Sequence, residues 1–70
     1  MELFEVAILE EKTITVKGKE KEQVKLIWGP KALVAKSAKR AEFMALQAMK
    51  DLDKYDADDL EVLVRRFLRR

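Results

Sequence analysis

Residues 60–70 read LEVLVRRFLRR, and two periods compete in them. Leu60, Leu63, Val64, Phe67 and Leu68 recur at i, i+3, i+4, i+7 and i+8, the stripe of an amphipathic helix. Asp58 and Asp59 before this stripe and the arginines at its end suit a helix dipole. Against it, Leu60, Val62 and Val64 alternate with Glu61, Leu63 and Arg65, and paired valines favour a strand. A helix over 58–70 would give the chain two helices, whereas a strand over 59–67 would close a sheet. The rest of the sequence supplies the context.

Working back from the tail, DLDKYDADD (51–59) reads as an acidic, solvated loop. Its aspartates superficially suggest calcium, yet an EF-hand loop needs glycine at its sixth position. Counting from Asp51 or Asp53, that position holds Asp56 or Asp58. Before the loop, Ala41, Met44, Ala45, Ala48, Met49 and Leu52 fall at i, i+3, i+4, i+7, i+8 and i+11. Ser37 stands as an N-cap, so a helix is expected over about 37–52, its alanines allowing close approach to a sheet. Phe43 points nearly opposite the centre of that face, beside Lys39 and Lys50, and Leu46 flanks it. Phe43 and Leu46 are therefore expected to form an exposed apolar patch for another chain.

The N-terminal half has the period of strands. In ELFEVAILE (2–10), Phe4, Val6 and Ile8 share one face, while Leu3, Glu5, Ala7 and Leu9 make a second, half-apolar one. Ile14 and Val16 continue the alternation; Val24, Leu26 and Trp28 alternate with Lys25 and Ile27 in a second excursion. Gly18 with Lys19 marks a reversal, and Lys17 to Glu22 is charged enough to read as a mobile hairpin end. Gly29-Pro30 is the strongest local breaker, and KALVAK (31–36) follows as a short buried strand. One strand, two excursions and one alanine-faced helix call for a closing strand. The expected fold is a single α+β domain over residues 1–70, a two-layer unit with a three- to four-stranded, mainly antiparallel sheet and one helix on one face.

Composition bounds the function. Seventy residues bury a thin core, and with no cysteine there are no disulfides to supplement it. The start has acids within its first five residues and no basic segment, unlike a signal peptide, and no apolar run is long enough to span a membrane. No membrane partner is expected. The chain has no histidine and a single serine, which removes imidazole acid–base chemistry, the usual nucleophile pairs and the usual zinc ligands. Its two glycines form no phosphate-binding loop. The expectation is a non-enzyme with no cofactor, no metal and no small-molecule substrate. The net charge of +2 conceals segregation: residues 1–11 carry four acids and no base, whereas residues 12–40 carry nine bases against two acids. Residues 41–61 then hold seven acids against two bases, and four arginines end the chain. Such blocks suit a domain with a basic and an acidic side.

LFEVAI (Leu3 to Ile8), GPKALVAK leading into an alanine-rich helix, and DLEVLVR (Asp59 to Arg65) together resemble short, mostly uncharacterised proteins encoded by bacteriophages. The similarity spans most of the chain through short, generic motifs. Such relatives commonly end near Val-Arg-Pro-Phe, whereas here Arg66 stands in the proline's place and Leu68 to Arg70 extend past Phe67. A proline there fits an edge strand and breaks a helix interior, so the resemblance implies a strand over 59–67. It also implies a phage gene product, located in the virion or the host cytoplasm. The leading expectation is a virion-associated subunit, of minor capsid or decoration type, that contacts itself or other virion proteins. Phe43, Leu46, Arg65, Arg66, Phe67, Arg69 and Arg70 are its expected interface, with strand addition at the tail as one docking mode. Two alternatives remain: nucleic-acid binding through Lys17, Lys19, Lys21, Lys25, Lys36, Lys39 and Arg40 with the C-terminal arginines, or inhibition of a host protein.

Overall fold

The computed structural model describes residues 1–67, so the expectations for Arg69 and Arg70 lie outside the described residues. The tail is a strand. Leu60–Arg66 forms β3, pairing antiparallel with β1 (Glu2–Val16), which also pairs antiparallel with β2 (Lys19–Ala35). The sheet order is β2-β1-β3, with helix α1 (Ala38–Ala48) packed on one face. This is the expected α+β two-layer unit, and the alternative of a second helix at 58–70 gives way to β3. Two single-turn 3-10 helices, Leu52–Lys54 and Ala57–Asp59, carry the acidic loop across to β3.

The core follows from the alternation of β1. Phe4, Val6 and Ile8 are almost wholly buried under the helix, each contributing roughly 1.5–3 kcal/mol by removal from water. Ala41 and Ala45 are also fully buried, and their small side chains let the helix backbone lie close to the strands. Ile27, Trp28, Leu33, Leu60, Val62 and Val64 complete the rim from β2 and β3. Ser37 caps the helix as expected: its side-chain oxygen accepts from the Arg40 N–H at 3.2 Å. An eleven-residue helix is marginal alone, so this packing holds it.

Four expectations need correction. The helix ends at Ala48, not near residue 52; Met49 leaves it with extended backbone and buries its side chain in the core. The buried stripe is Ala41, Ala45 and Met49 flanked by Glu42 and Leu46, leaving Met44 and Ala48 exposed. Contact with β3 as well as β1 rolls the helix toward Leu46. KALVAK is not a fourth strand: β2 runs through Gly29-Pro30 as one element with two register shifts, at Val6/Ile8 and Ile8/Leu9. Gly29 permits this with φ +80°, and its peptide bond to Pro30 is cis. Finally, the hairpin reverses at Lys17-Gly18 (φ 51° and 76°), the paired positive values of a tight two-residue turn. The ladder reaches Val16 opposite Lys19, so the charged tip is paired strand up to the turn.

Candidate interaction surface

Side chains alternate across a sheet, and residues opposite each other in an antiparallel ladder share a face. The helix covers the face of Phe4, Val6 and Ile8. The other face has no covering element among the described residues. It presents, from β2 through β1 to β3, Val34 with Leu3, Ala32 with Glu5 and Arg65, Ala7 with Leu63, Leu26 with Leu9 and Glu61, and Val24 with Glu11. Leu3, Val24, Leu26, Val34 and Leu63 are 42–55% exposed. Pro30 joins Ala7, Glu5, Leu63 and Arg65 around a shallow depression at the centre of this face. A continuous apolar surface on a small protein marks a place where something else binds.

Charges punctuate this open face at two places. Arg65 pairs with Glu5 at 2.9 Å and lies over the Phe67 ring, 5.7 Å from its centroid. The Phe67 N–H donates to the Leu3 carbonyl at 3.0 Å, continuing the ladder one residue past β3. Toward the hairpin, Glu11 and Glu61 stand side by side. Hydrogen bonding of the protonated carboxyl with Glu61, then the Glu61 charge, loss of water and the Glu22 charge, hold the Glu11 carboxyl above the ordinary carboxylate range. A raised carboxyl pKa in the folded state stabilises at acid pH, and this contribution fades as pH rises through the folded value. Glu61→Gln is therefore expected to reduce the loss of stability between mildly acidic and neutral pH. Urea midpoints of the two proteins across that range check this, and parallel pH profiles would refute the carboxylate pair.

Beyond the helix, β1 and β2 continue as a two-stranded arm. There the alternation sorts charge by side. Lys12, Lys19, Lys21 and Lys25 fall on the helix side of the sheet, where Glu10 faces Lys25 and pairs with Lys12 at 3.4 Å, and Glu11, Glu20 and Glu22 fall on the open side. The run Lys19-Glu20-Lys21-Glu22 produces this sorting simply by its period of two.

The residues expected at an interface disperse. Phe43 is 52% exposed and lines a groove at the helix N-terminus with Ser37, Lys39, Arg40 and Leu46. Leu46, expected to be exposed with it, packs partly buried against the core. Arg66 turns to the helix side, pairs with Glu2 at 3.1 Å and covers the Phe4 ring at 5.9 Å, while Arg65 and Phe67 belong to the open face. The expected nucleic-acid contacts form two groups. Lys17, Lys19, Lys21 and Lys25 occupy the arm, and Lys36, Lys39 and Arg40 lie past the opposite end of β2. At about 3.3 Å per residue, Lys25 and Lys36 are roughly 35 Å apart along the strand.

The open-face residues of β2 were hidden in the sequence by the bulges. Val24, Leu26 and Trp28 read there as one face; the register shift after Ile8 sends Trp28 to the core and Leu26 and Val24 to the open side. A usable signal was the half-apolar second face of β1, with Leu3, Ala7 and Leu9. Comparison of the chain with protein-family models, with curated proteins and with solved structures finds no match.

Proposed function

We propose that this chain is a non-enzymatic interaction subunit that works by seating its open sheet face on protein. The uncovered apolar face carries the reading: Leu3, Leu26, Val34 and Leu63 keep nearly half their surface in water on a regular sheet. The chain has neither histidine nor cysteine and its one serine is occupied capping the helix, which supports a non-enzymatic reading. The setting we propose is a bacteriophage particle, with the chain as a minor capsid or decoration subunit; the phage-like LFEVAI, GPKALVAK and DLEVLVR segments support it. Mass spectrometry of purified particles should find the chain at constant copy number per major capsid protein. Its absence from washed particles would overturn the virion assignment.

One observation favours nucleic acid as a second reading: Lys12, Lys19, Lys21 and Lys25 share one side of the arm. The acidic open side of the same arm opposes it, since phosphate is repelled there. Titration against duplex and single-stranded DNA at two salt concentrations separates the readings. Affinity that collapses with salt supports nucleic acid, and no saturable binding at low salt removes it.

A further inference from the structure

The open face has a pattern that identifies its occupant. On β2 it is apolar from Val24 to Val34, with Val24, Leu26, Pro30, Ala32 and Val34, and acidic only further out at Glu20 and Glu22. On β3 it reads Glu61, Leu63, Arg65. Leu63 is the midpoint of that triplet, with an acid and a base each about 7 Å from it in opposite directions along the strand. We propose that this face is covered by the same face of a second copy, related by a two-fold axis running across the strands through the Ala7–Leu63 row. The inference rests on the reading of the open face as a protein interface and names its partner.

An isologous contact sets each position against the one reached by the two-fold. With the axis across the strands, a residue displaced one way from the Leu63 row meets the residue displaced equally the other way. Leu63 meets Leu63, Arg65 meets the partner's Glu61, and the partner's Arg65 meets Glu61. The β2 stripe meets itself, apolar against apolar, and on β1 Glu5, already paired with Arg65, meets Leu9 while Glu11 meets Leu3, so no like charges oppose each other. The other two-fold that brings these faces together runs along the strands and sets β2 against β3. It leaves Glu61 on Leu26 and Arg65 on Ala32 without counter-charges, and it sets Glu5 on Glu5 and Glu11 on Glu11, like charge on like. Charge complementarity thus selects the first arrangement, and aligned sheets packing about 10 Å apart accommodate it.

Two details of the isolated chain fit this partner. The Arg65 side chain is 71% exposed while already 2.9 Å from Glu5. Its five N–H donors let it keep Glu5 and reach a second carboxylate. Glu61 lies beside Glu11 in a like-charged pair, and no cation pairs with it among the described residues. An incoming arginine supplies one. The same acids, with Glu22 close by, make the face a poor seat for phosphate or an anionic lipid surface.

Light scattering over a dilution series from micromolar to millimolar tests the pairing. The wild type is expected to approach twice 8.2 kDa. Glu61→Arg and Arg65→Glu should each weaken the dimer at least tenfold, because each sets like charges across the axis twice. An equimolar mixture of the two variants should restore dimers, since each reversed side chain then meets its complement. Glu61→Arg leaves the ion pairs among the described residues intact, so its result stands even if Arg65→Glu folds poorly; circular dichroism checks both. Leu63→Lys should also abolish the dimer while leaving the fold. A wild type that stays at 8.2 kDa overturns the self-pairing, as do reversals that dimerise normally. A mixture of folded variants that stays monomeric overturns the axis proposed. None of these outcomes touches the particle measurement, which decides the wider reading separately.

Discussion

Gly29→Ala lowers the stability of this domain by about 2–5 kcal/mol, read as a fall in the urea midpoint. Two costs add. Gly29 has φ +80°, where a Cβ is penalised by about 1–2 kcal/mol. Its Cβ would also lie 2.5 Å from the Val6 carbonyl oxygen and 3.3 Å from the Ala7 Cα, both backbone atoms at the centre of the sheet. Relieving that overlap moves β2 away from β1, an overpacking cost of about 1–3 kcal/mol. A domain of this size holds roughly 4–10 kcal/mol in total, so the loss is a large share of it. Gly18→Ala is the internal control. It has φ +76° but nothing within 4 Å of the added atom, so only the backbone cost applies, about 1–2 kcal/mol. Equal losses at the two glycines would mean that the strands do not approach as described at Gly29.

Phe4→Ala is expected to cost about 3–5 kcal/mol, the range for deleting a large buried aromatic side chain. Phe4 is 1% exposed, with Leu33 and Arg66 opposite it on the neighbouring strands, and it fills the layer beneath the helix. The Arg66 guanidinium covers its outer edge, so the void would open beside a charge that loses its aromatic support. Phe43→Ala gives the contrast, because Phe43 is 52% exposed on the outer side of the helix. Its removal should shift stability by no more than about 0.5 kcal/mol, with the helix preference of alanine offsetting the lost contact. Thermal melts of both variants measure the difference. Similar losses would place Phe43 in the core and the helix in a different roll.

These contrasts show where the sequence was legible. Phe4, Val6 and Ile8 could be identified as core because a two-residue period needs no knowledge of partners. Ser37 could be identified as a cap from its side chain and the apolar spacing behind it. The tail needed topology and resemblance as well as its own pattern, since Leu60, Leu63, Val64 and Phe67 fit a helix by spacing. Tertiary context decided it: β1 required a partner on its second edge, and Val62 and Val64 bury against the helix only as a strand. The open apolar face is harder to see in the sequence. Phe43 stands out there as an apolar residue off the helix stripe, yet the larger apolar surface is assembled from three strands distant in sequence. Leu26 and Val24 reach it only through a register change that local periodicity does not display.

That register change has a further consequence. The ladder shifts twice within a few residues, so the opposed positions change parity and then change it back. Even-numbered residues of β1 face odd-numbered residues of β2 near the helix, as Phe4 faces Leu33, and again in the arm, as Lys12 faces Gln23. The two irregularities act as a matched pair of phase shifts. Losing one residue between Leu26 and Lys31 would remove one shift and leave the other, and because β1 alternates without interruption and facing residues share a face, the arm would keep Val16 opposite Lys19 and keep its lysine and glutamate sides. Losing two would remove both shifts with the same result. The segment is thus a reserve of two residues whose loss straightens β2 without reassigning a side, so length drift here is absorbed around Gly29 and Pro30 and never reaches the charge pattern of the arm.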